Sequence, residues 1–233
     1  MKIDGAVAVV TGANRGVGRA FALALLEHGA AKVYAGARDP GSILDAGLTP
    51  LPLDITDPAQ VEAAAQTAND ATIVINNAGI GHGGSLLTGS LDGIRDDFET
   101  NFFGTLAVSR AFAPVLKANA GGALVNMLSA LSFVSFADIG GYCASKSAEW
   151  SLTNALRLEL AAQGTLVVGV HAGYIDTDMA ASVESPKIRP EEVAQRTIEA
   201  LIAGRPEVLV DEVSRNVKSA LSGDLRALYP ALG

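Results

Sequence analysis

The feature that most limits what this chain can fold into is a regular alternation of short strand-like runs with longer helical segments. Continuous apolar stretches such as residues 7–10 and 72–75 are typical of strands buried on both faces of a parallel sheet. Strands are predicted at residues 7–10, 32–37, 48–55, 72–75, 123–128, 166–170 and 208–210. Helices are predicted at residues 19–28, 58–68, 91–118, 141–162 and 190–203. The repeated strand–helix–strand order predicts an α/β fold, a doubly wound parallel sheet with helices on both faces.

The chain is predicted to form one domain over residues 1–233. With 49% hydrophobic residues it has enough apolar material for one sizeable core. No internal repeat, low-complexity linker or shift in composition divides it. Residues 38–48 are few and contain glycine and proline, so the helix expected there is missing or reduced to a turn.

Composition argues against several kinds of partner. The net charge of −8 disfavours nonspecific binding to nucleic acid. The sequence has no run of about 18 apolar residues, so no membrane helix is predicted. The first residues lack the pattern of a signal peptide, and Cys143 is the one cysteine, which suits a reducing cytoplasm. His28, His82 and His171 lack metal-ligand spacing and acidic companions, so no metal is predicted.

A glycine-rich segment, TGANRGVG at residues 11–18, joins the first strand to the first helix. Glycines there allow a sharp turn and a close approach of the backbone to a pyrophosphate, which the helix N-terminus stabilises. Three residues separate Gly12 from Gly16, unlike the G-x-G-x-x-G pattern, and a purely structural turn is the alternative. The setting between strand and helix favours cofactor binding. The candidate residues are Gly12, Asn14, Arg15, Gly16, Val17 and Gly18.

The end of the second strand indicates which cofactor is bound. An acidic residue there would accept hydrogen bonds from the ribose 2′-hydroxyl of NAD, whereas arginine accommodates the 2′-phosphate of NADP. This chain has Arg38 at that point, and Arg15 could converge on the same phosphate. Asp39 could instead reach the ribose and favour NAD, but it stands directly before Pro40, where a turn begins. NADP(H) is the predicted cofactor.

Tyr142 and Lys146 are four residues apart in a predicted helix, so their side chains share one face. A phenol is a poor acid–base catalyst near neutrality, and a nearby ammonium is expected to lower its pKa. Ser129 lies at the end of the fifth strand, where ligands bind in open parallel sheets. The three residues predict proton transfer to a carbonyl oxygen.

Together these motifs resemble those of the short-chain dehydrogenase/reductase family, in its compact single-domain branch. The resemblance covers nearly the whole chain and implies a Rossmann-type domain. Further matching positions are Asp54 and Ile55 after the third strand, Asn77, Ala78 and Gly79 after the fourth, and Asn101 in the long helix.

The resemblance implies a role for each catalytic residue. Tyr142 would be the general acid in carbonyl reduction, Ser129 would hold the carbonyl oxygen, and Lys146 would bind the nicotinamide ribose. Asn101 would link Lys146 to solvent through water, and a role as a helix-interior polar residue bonded to local backbone is compatible with that. Hydride would pass from the nicotinamide to the carbonyl carbon.

After the sixth strand the sequence departs from the family. Ala172-Gly173 stands where the family usually has Pro-Gly, so the loop beside the nicotinamide is expected to be looser. Gly173 keeps the close approach of the backbone. By the resemblance, the Ile175 backbone and the Thr177 hydroxyl would hold the carboxamide.

The substrate is expected to be a small lipophilic ketone or aldehyde, or the matching alcohol. The candidate pocket residues are mostly apolar: Ala130, Leu131, Phe133, Phe136, Ile139, Tyr174 and Met179. The helices at 91–118 and 141–162 resemble those of the family's subunit interface, which implies a homodimer or homotetramer.

Two other hypotheses compete with that of an NADP(H)-dependent reductase. One is an NAD(H)-preferring alcohol dehydrogenase of the same family. The other is a non-catalytic NADP(H)-binding regulator, because a fold does not guarantee an activity. The regulator predicts a damaged catalytic set, whereas Asn101, Ser129, Tyr142 and Lys146 are all present.

Overall fold

The computed structural model describes residues 1–229 and contains a seven-stranded sheet in which every neighbouring pair of strands is parallel. The strands are β1 (Val7–Thr11), β2 (Lys32–Ala37), β3 (Leu48–Pro52), β4 (Ile73–Asn76), β5 (Ala123–Met127), β6 (Leu166–His171) and β7 (Glu207–Leu209). Their spatial order is β3-β2-β1-β4-β5-β6-β7. This is the predicted doubly wound, Rossmann-type sheet. The last four residues of the predicted single domain, 230–233, lie outside the described residues.

Helices connect the strands and cover both faces of the sheet. They are α1 (Gly16–Glu27), α2 (Pro58–Thr67), α3 (Leu91–Phe98), α4 (Thr105–Ala118), α5 (Gly140–Glu159), α6 (Pro190–Ala203), α7 (Glu212–Ala220) and α8 (Leu225–Leu228). Asp57 caps α2 by accepting hydrogen bonds from the backbone N–H groups of Ala59 and Gln60. Pro58 then fills the first helical position, where no N–H is needed.

Alternation along the strands divides the core into two layers, because successive side chains of a strand point to opposite faces. Val10 belongs to the layer under α1 and α6, where Phe21 and Ile198 are fully buried. Val9 belongs to the layer under α2, α4 and α5, with Phe112 at its centre. The strands therefore read as continuous apolar runs because both faces are covered.

The helix predicted over residues 91–118 is interrupted. A π-helical turn, Glu99–Gly104, separates α3 from α4. Gly104 packs so closely on Ile55 that a Cβ atom there would lie 2.7 Å from Ile55 Cδ1. Such turns are common at functional sites, and Asn101 lies within this one, fully buried.

The segment between β2 and β3 agrees with expectation, whereas two helices after β7 do not. A single 3₁₀ turn, Pro40–Ser42, stands where the helix between β2 and β3 was expected to be missing or reduced. The helices α7 and α8 were not predicted: α7 has few apolar residues, and α8 is only four residues long. Within the described residues, no helix combines the length and the hydropathy needed to cross a lipid bilayer.

Candidate active site

The order in which strands are added to the sheet reverses at β1, which pairs with β2 on one side and with β4 on the other. Ligands of open α/β sheets bind beside such a switch point, outside the carboxyl ends of the strands. The glycine-rich loop follows β1 at this point, and the segment of residues 76–79 lies at the end of β4. The topology therefore brings the two predicted cofactor segments together.

The loop conformation depends on its glycines. Gly12 and Gly16 have φ angles of 64° and 53°, in the left-handed region that glycine adopts without strain. Gly18 is constrained by space, because a Cβ atom there would lie 2.1 Å from the carbonyl oxygen of Gly12. No side chain larger than hydrogen fits at that position without moving the backbone.

Thr11 and Asn77 fix the loop to the segment after β4. The Thr11 hydroxyl accepts hydrogen bonds from the backbone N–H groups of Asn77 and Ala78, both at 2.9 Å. The Asn77 side-chain amide donates to the carbonyl oxygens of Thr11 and Gly12, at 3.0 and 3.3 Å. Asn77 thus shapes the cofactor loop through its side chain.

The N-terminus of α1 has the features of an anion site. Its N-cap residue, Arg15, makes no side-chain hydrogen bond to the first turn, and that turn contains no acidic residue. Val17 is partly buried in the first turn and Asn14 is exposed just before it. The unsatisfied N–H groups and the helix dipole fit the pyrophosphate of a dinucleotide.

The two arginines predicted to share a phosphate have different surroundings. Arg38 is exposed at the end of β2. Arg15 instead forms an exposed ion pair with Asp178, at 2.9 Å, which joins the glycine-rich loop to the segment after β6. Asp39 accepts a hydrogen bond from the backbone N–H of Gly41 and caps the following turn, as its place before Pro40 suggested.

Asp54 and Ile55 follow β3 on the same edge of the sheet. One carboxylate oxygen of Asp54 accepts hydrogen bonds from the backbone N–H and the hydroxyl of Thr56, at 3.0 and 2.7 Å. Ile55 is buried against Gly104. The side chain of Ile55 is therefore a packing group, and only its backbone is placed to meet a cofactor.

Tyr142 and Lys146 lie on one face of α5, with the Lys146 ammonium 6.0 Å from the centre of the phenol ring. Burial raises the pKa of the Tyr142 phenol, and the Lys146 ammonium and the Ser129 hydroxyl oppose that shift without overcoming it. The sequence argument, which expected a lowered pKa, was wrong about the net direction. The phenol stays protonated near neutrality, as a proton donor must.

Ser129 follows β5 and caps the 3₁₀ turn Ala130–Ser132. Its Oγ accepts a hydrogen bond from the backbone N–H of Leu131 at 3.1 Å. A hydroxyl has one proton to donate, and this contact leaves that proton free. Ser129 can therefore donate a hydrogen bond to an oxygen beside the phenol.

The Lys146 side chain is buried, and its ammonium donates two hydrogen bonds to other groups of the chain. Its ammonium donates to the backbone carbonyl of Met127 at 2.9 Å and to Glu149 Oε2 at 2.6 Å. Burial lowers the pKa of Lys146, but the charge and the hydrogen bond of the Glu149 carboxylate oppose burial, and the pKa is raised overall. Lys146 is therefore charged at neutral pH.

Asn101 ties the π-helical turn to the segment after β4. Its side-chain oxygen accepts from the Ile80 backbone N–H, and its amide donates to the Ile80 carbonyl and to Ser145 Oγ, each at 2.9 Å. Gly79 is close by, since a Cβ atom there would lie 3.1 Å from Asn101 Oδ1 and 3.7 Å from Lys146 Nζ. The side chain of Asn101 thus bonds to the backbone of Ile80, in a different segment of the chain, and not to its own helix.

The loop after β6 is held by a contact that the sequence did not reveal. The backbone N–H of Gly173 donates to Asp211 Oδ2 at 2.6 Å. Ile175 pairs with Ile188 in an isolated bridge, and the Thr177 methyl group would lie 3.2 Å from a Cβ on Gly16. The loop was expected to be looser without proline, but Asp211 tethers it.

The predicted pocket residues separate into two groups. Ala130 and Phe133 are buried, and Phe133 stacks on His171 with the ring centroids 4.2 Å apart, so both are packing residues. The others are partly or largely exposed beside the site: Leu131, Phe136, Ile139, Tyr174 and Met179. Cys143 is buried.

Two buried acidic residues were missed by the sequence argument. Glu149 lies three residues after Lys146 and seven after Tyr142, a spacing that puts all three on one helical face and could have identified it. Asp97 accepts hydrogen bonds from the backbone and the ring of His82, at 3.0 and 2.9 Å. Among residues 1–229, no group of three or more metal-ligating side chains is suitably clustered.

Dinucleotide-dependent oxidoreductases are the class of protein in which this sheet, this glycine loop and this serine–tyrosine–lysine group occur together. The family model described as short chain dehydrogenase matches residues 6–188. The chain therefore belongs to the short-chain dehydrogenase family.

Relatives and solved structures agree with this assignment. A 3-oxoacyl-[acyl-carrier-protein] reductase, FabG, of Vibrio harveyi is 31% identical over 188 residues, covering 77% of each chain. An uncharacterized oxidoreductase of Staphylococcus aureus is 30% identical over 221 residues, covering 89% of this chain and 95% of the relative. A short chain dehydrogenase from Burkholderia cenocepacia, solved in complex with NADP, is 40% identical, with a TM-score of 0.95 and coverage of 100% and 99%.

Proposed function

We propose that this protein is an NADP(H)-dependent carbonyl reductase, which converts a ketone or aldehyde to an alcohol and runs reversibly. The observation that carries the proposal is the Tyr142–Lys146 pair on one face of α5, with Ser129 beside the phenol and the glycine loop on the same edge of the sheet. Family membership supplies the reaction class, an oxidoreductase.

Each residue has a role that follows from its contacts. The bound nicotinamide supplies a hydride to the carbonyl carbon. Ser129 donates its free proton in a hydrogen bond to the carbonyl oxygen, and Tyr142 transfers its phenolic proton to that oxygen. The Lys146 ammonium stabilises the phenolate that remains. In the oxidative direction Tyr142 takes the proton back.

NADP(H) is favoured by charge at the end of β2. Arg38 is exposed there without an acidic side chain in its place, and Asp39 is engaged in capping the next turn. The similar structure from Burkholderia cenocepacia was solved with NADP. A second one, from Burkholderia phymatum, is 26% identical and was solved with NAD, so an NAD(H)-preferring dehydrogenase is the alternative. The Arg15–Asp178 pair would open for Arg15 to join Arg38 on the 2′-phosphate.

The proposed substrate is small and lipophilic. Phe136, Tyr174 and Met179 are exposed apolar groups in the loops that follow β5 and β6, and they suit an uncharged carbonyl compound. A homodimer or homotetramer is proposed through the helical segments 91–118 and 141–162, where Phe103 of the π-helical turn and Leu158 of α5 are exposed. The single buried cysteine, Cys143, suits a cytoplasmic location.

A panel of ketones and aldehydes assayed with NADPH and with NADH tests the proposal. We expect reduction of at least one lipophilic carbonyl compound, with a higher kcat/KM for NADPH. Tyr142→Phe should lower kcat by about 10²–10⁴-fold, the range of general acid catalysis, while NADPH still binds. NADPH binding without turnover of any carbonyl compound would favour a non-catalytic regulator.

A further inference from the structure

Glu149 is a buried acidic residue in direct contact with the proposed catalytic lysine. Its side chain is 2% exposed, and its Oε2 accepts a hydrogen bond from Lys146 Nζ at 2.6 Å. Its Oε1 accepts from the Thr105 hydroxyl at 3.2 Å, which fixes the carboxylate between α5 and α4. Both oxygens of Glu149 are thus engaged by buried groups.

Burial makes this contact important for the charge state of Lys146. An ammonium removed from water tends to lose its proton unless an opposite charge compensates it. The other protein acceptor of Lys146 is the neutral carbonyl of Met127. Glu149 therefore supplies the compensating negative charge for Lys146.

We propose that Glu149 is a positioning residue of the active site, whose carboxylate keeps the buried Lys146 ammonium protonated and fixes its direction. This inference rests on the proposed reductase function, in which Lys146 stabilises the Tyr142 phenolate. An ammonium has three N–H donors. Glu149 and Met127 take two, and one remains for a ligand on the side of Gly79, where a Cβ atom would lie 3.7 Å from Lys146 Nζ.

Glu149 is the principal charge beside Lys146: burial raises the pKa of its carboxyl, and the charge and hydrogen bond of the Lys146 ammonium oppose that rise. Tyr142 faces Lys146 from the same helix, and its phenol is neutral because burial raises its pKa. Burial likewise raises the pKa of the neighbouring Cys143 thiol. From α3, Asp97 contacts the start of α5 but bonds to His82. The other polar neighbours, the Thr105 hydroxyl and the Met127 carbonyl, do not titrate in this range.

Glu149→Gln removes the charge and keeps the shape and an acceptor for Thr105. We expect the pKa of Lys146 in the free protein to fall by about one pH unit or more. The measurement is NMR of ¹³Cε-labelled lysine, with the Lys146 signal assigned by its loss in Lys146→Arg. The matched control is Glu159→Gln, an exposed acid on the same helix, which should leave the Lys146 signal unchanged.

The kinetic readout is the pH profile of carbonyl reduction. In Glu149→Gln the basic limb of kcat should move to lower pH by about one unit or more, because the ammonium that stabilises the phenolate is lost earlier. A purely structural role would lower kcat equally at every pH. In Glu149→Asp, which keeps the charge, the limb should return toward its original position.

The outcomes separate this inference from the proposed function. A Lys146 signal that titrates identically in the wild type and Glu149→Gln overturns the role of Glu149, whatever the activity. Loss of activity in Tyr142→Phe would still support the reductase in that case. If Glu149→Gln does not fold, the NMR titration of Lys146 in the wild-type protein tests the proposal. A Lys146 pKa below about 10.4, the ordinary lysine value, would contradict it.

Discussion

His171 Nδ1 lies 3.1 Å from the backbone carbonyl oxygen of Ser129 and, since a carbonyl only accepts, carries the proton of that hydrogen bond. The ring is fully buried at the end of β6 and stacks on Phe133. The other ring nitrogen, Nε2, has no hydrogen-bond partner among the described residues. A neutral imidazole therefore fixes the backbone of the proposed catalytic serine.

This contact predicts a loss of stability in mild acid. Burial lowers the pKa of His171 to about 4, against 6.5 for the exposed ring, so the unfolded chain binds the proton more tightly. The contribution is complete above pH 6.5 and declines as pH falls toward 4, by about 3 kcal/mol in total. Urea unfolding at several pH values measures it.

His171→Asn keeps an N–H donor on Cγ but does not titrate. It should flatten the pH dependence of the free energy of unfolding between pH 6.5 and 4, even if the protein is less stable at every pH. His28→Asn, which removes a partly buried imidazole elsewhere, is the matched control and should keep the slope. An unchanged slope in His171→Asn would exclude this origin.

Arg38 should determine the preference for the cofactor. Charge-assisted hydrogen bonds are worth about 1.5–3 kcal/mol, so Arg38→Ala is expected to lower kcat/KM for NADPH by about 10–100-fold. The value for NADH should change by less than about threefold, because the 2′-hydroxyl offers no charge to lose. Arg205→Ala, another exposed arginine, is the control. Equal losses with both cofactors would contradict the assignment.

Gly18→Ala should abolish cofactor binding. The added methyl group would lie 2.1 Å from the Gly12 carbonyl oxygen, so the loop backbone has to move. NADPH titration by fluorescence and the melting temperature report the two effects. Gly83→Ala is the control, because its nearest neighbour would be 3.7 Å away, an ordinary contact. Normal NADPH affinity in Gly18→Ala would show that the loop is not the pyrophosphate site.

A buried amide chain joins the sheet to its helices. Asn76 Nδ2 donates to Asn126 Oδ1 and Asn126 Nδ2 donates to the Thr153 hydroxyl, both at 2.9 Å. Asn126→Ala removes one of the two acceptors of the Asn76 amide and the donor to the Thr153 hydroxyl, and should lower the free energy of unfolding by about 1–3 kcal/mol. Chemical denaturation measures it, with the exposed Asn69→Ala as control. A change below about 0.5 kcal/mol would mean that water replaces the amide.

Much of the fold could be predicted from local patterns in the sequence. The strands and their flanking helices follow from apolar runs that are buried on both faces, such as β1 and β4. The break in the long helix at Glu99–Gly104 was not accessible, because it accompanies the close packing of Gly104 on Ile55, a contact 49 residues apart in the chain. Helix periodicity describes neighbours three or four residues away and carries no record of such contacts.

The candidate site likewise has features that the sequence predicts and features that it does not. The spacing of Tyr142 and Lys146 predicts one helical face, and the structure places them there. The pairing of Arg15 with Asp178, the tether of Gly173 to Asp211 and the direction of the Tyr142 pKa were not predicted. Each depends on which distant groups share a space or exclude water.

The sequence by itself determined the order of strands and helices, the positions that must be glycine-like in the phosphate loop, and the residue types available for proton transfer. These are consequences of chain stereochemistry and of spacing along one element. Only the tertiary structure decided that the Lys146–Glu149 pair is buried and that His171 bonds to the backbone carbonyl of Ser129. Charge and hydrogen bonding depend on distance and burial, and folding sets both by bringing together segments that the sequence keeps apart.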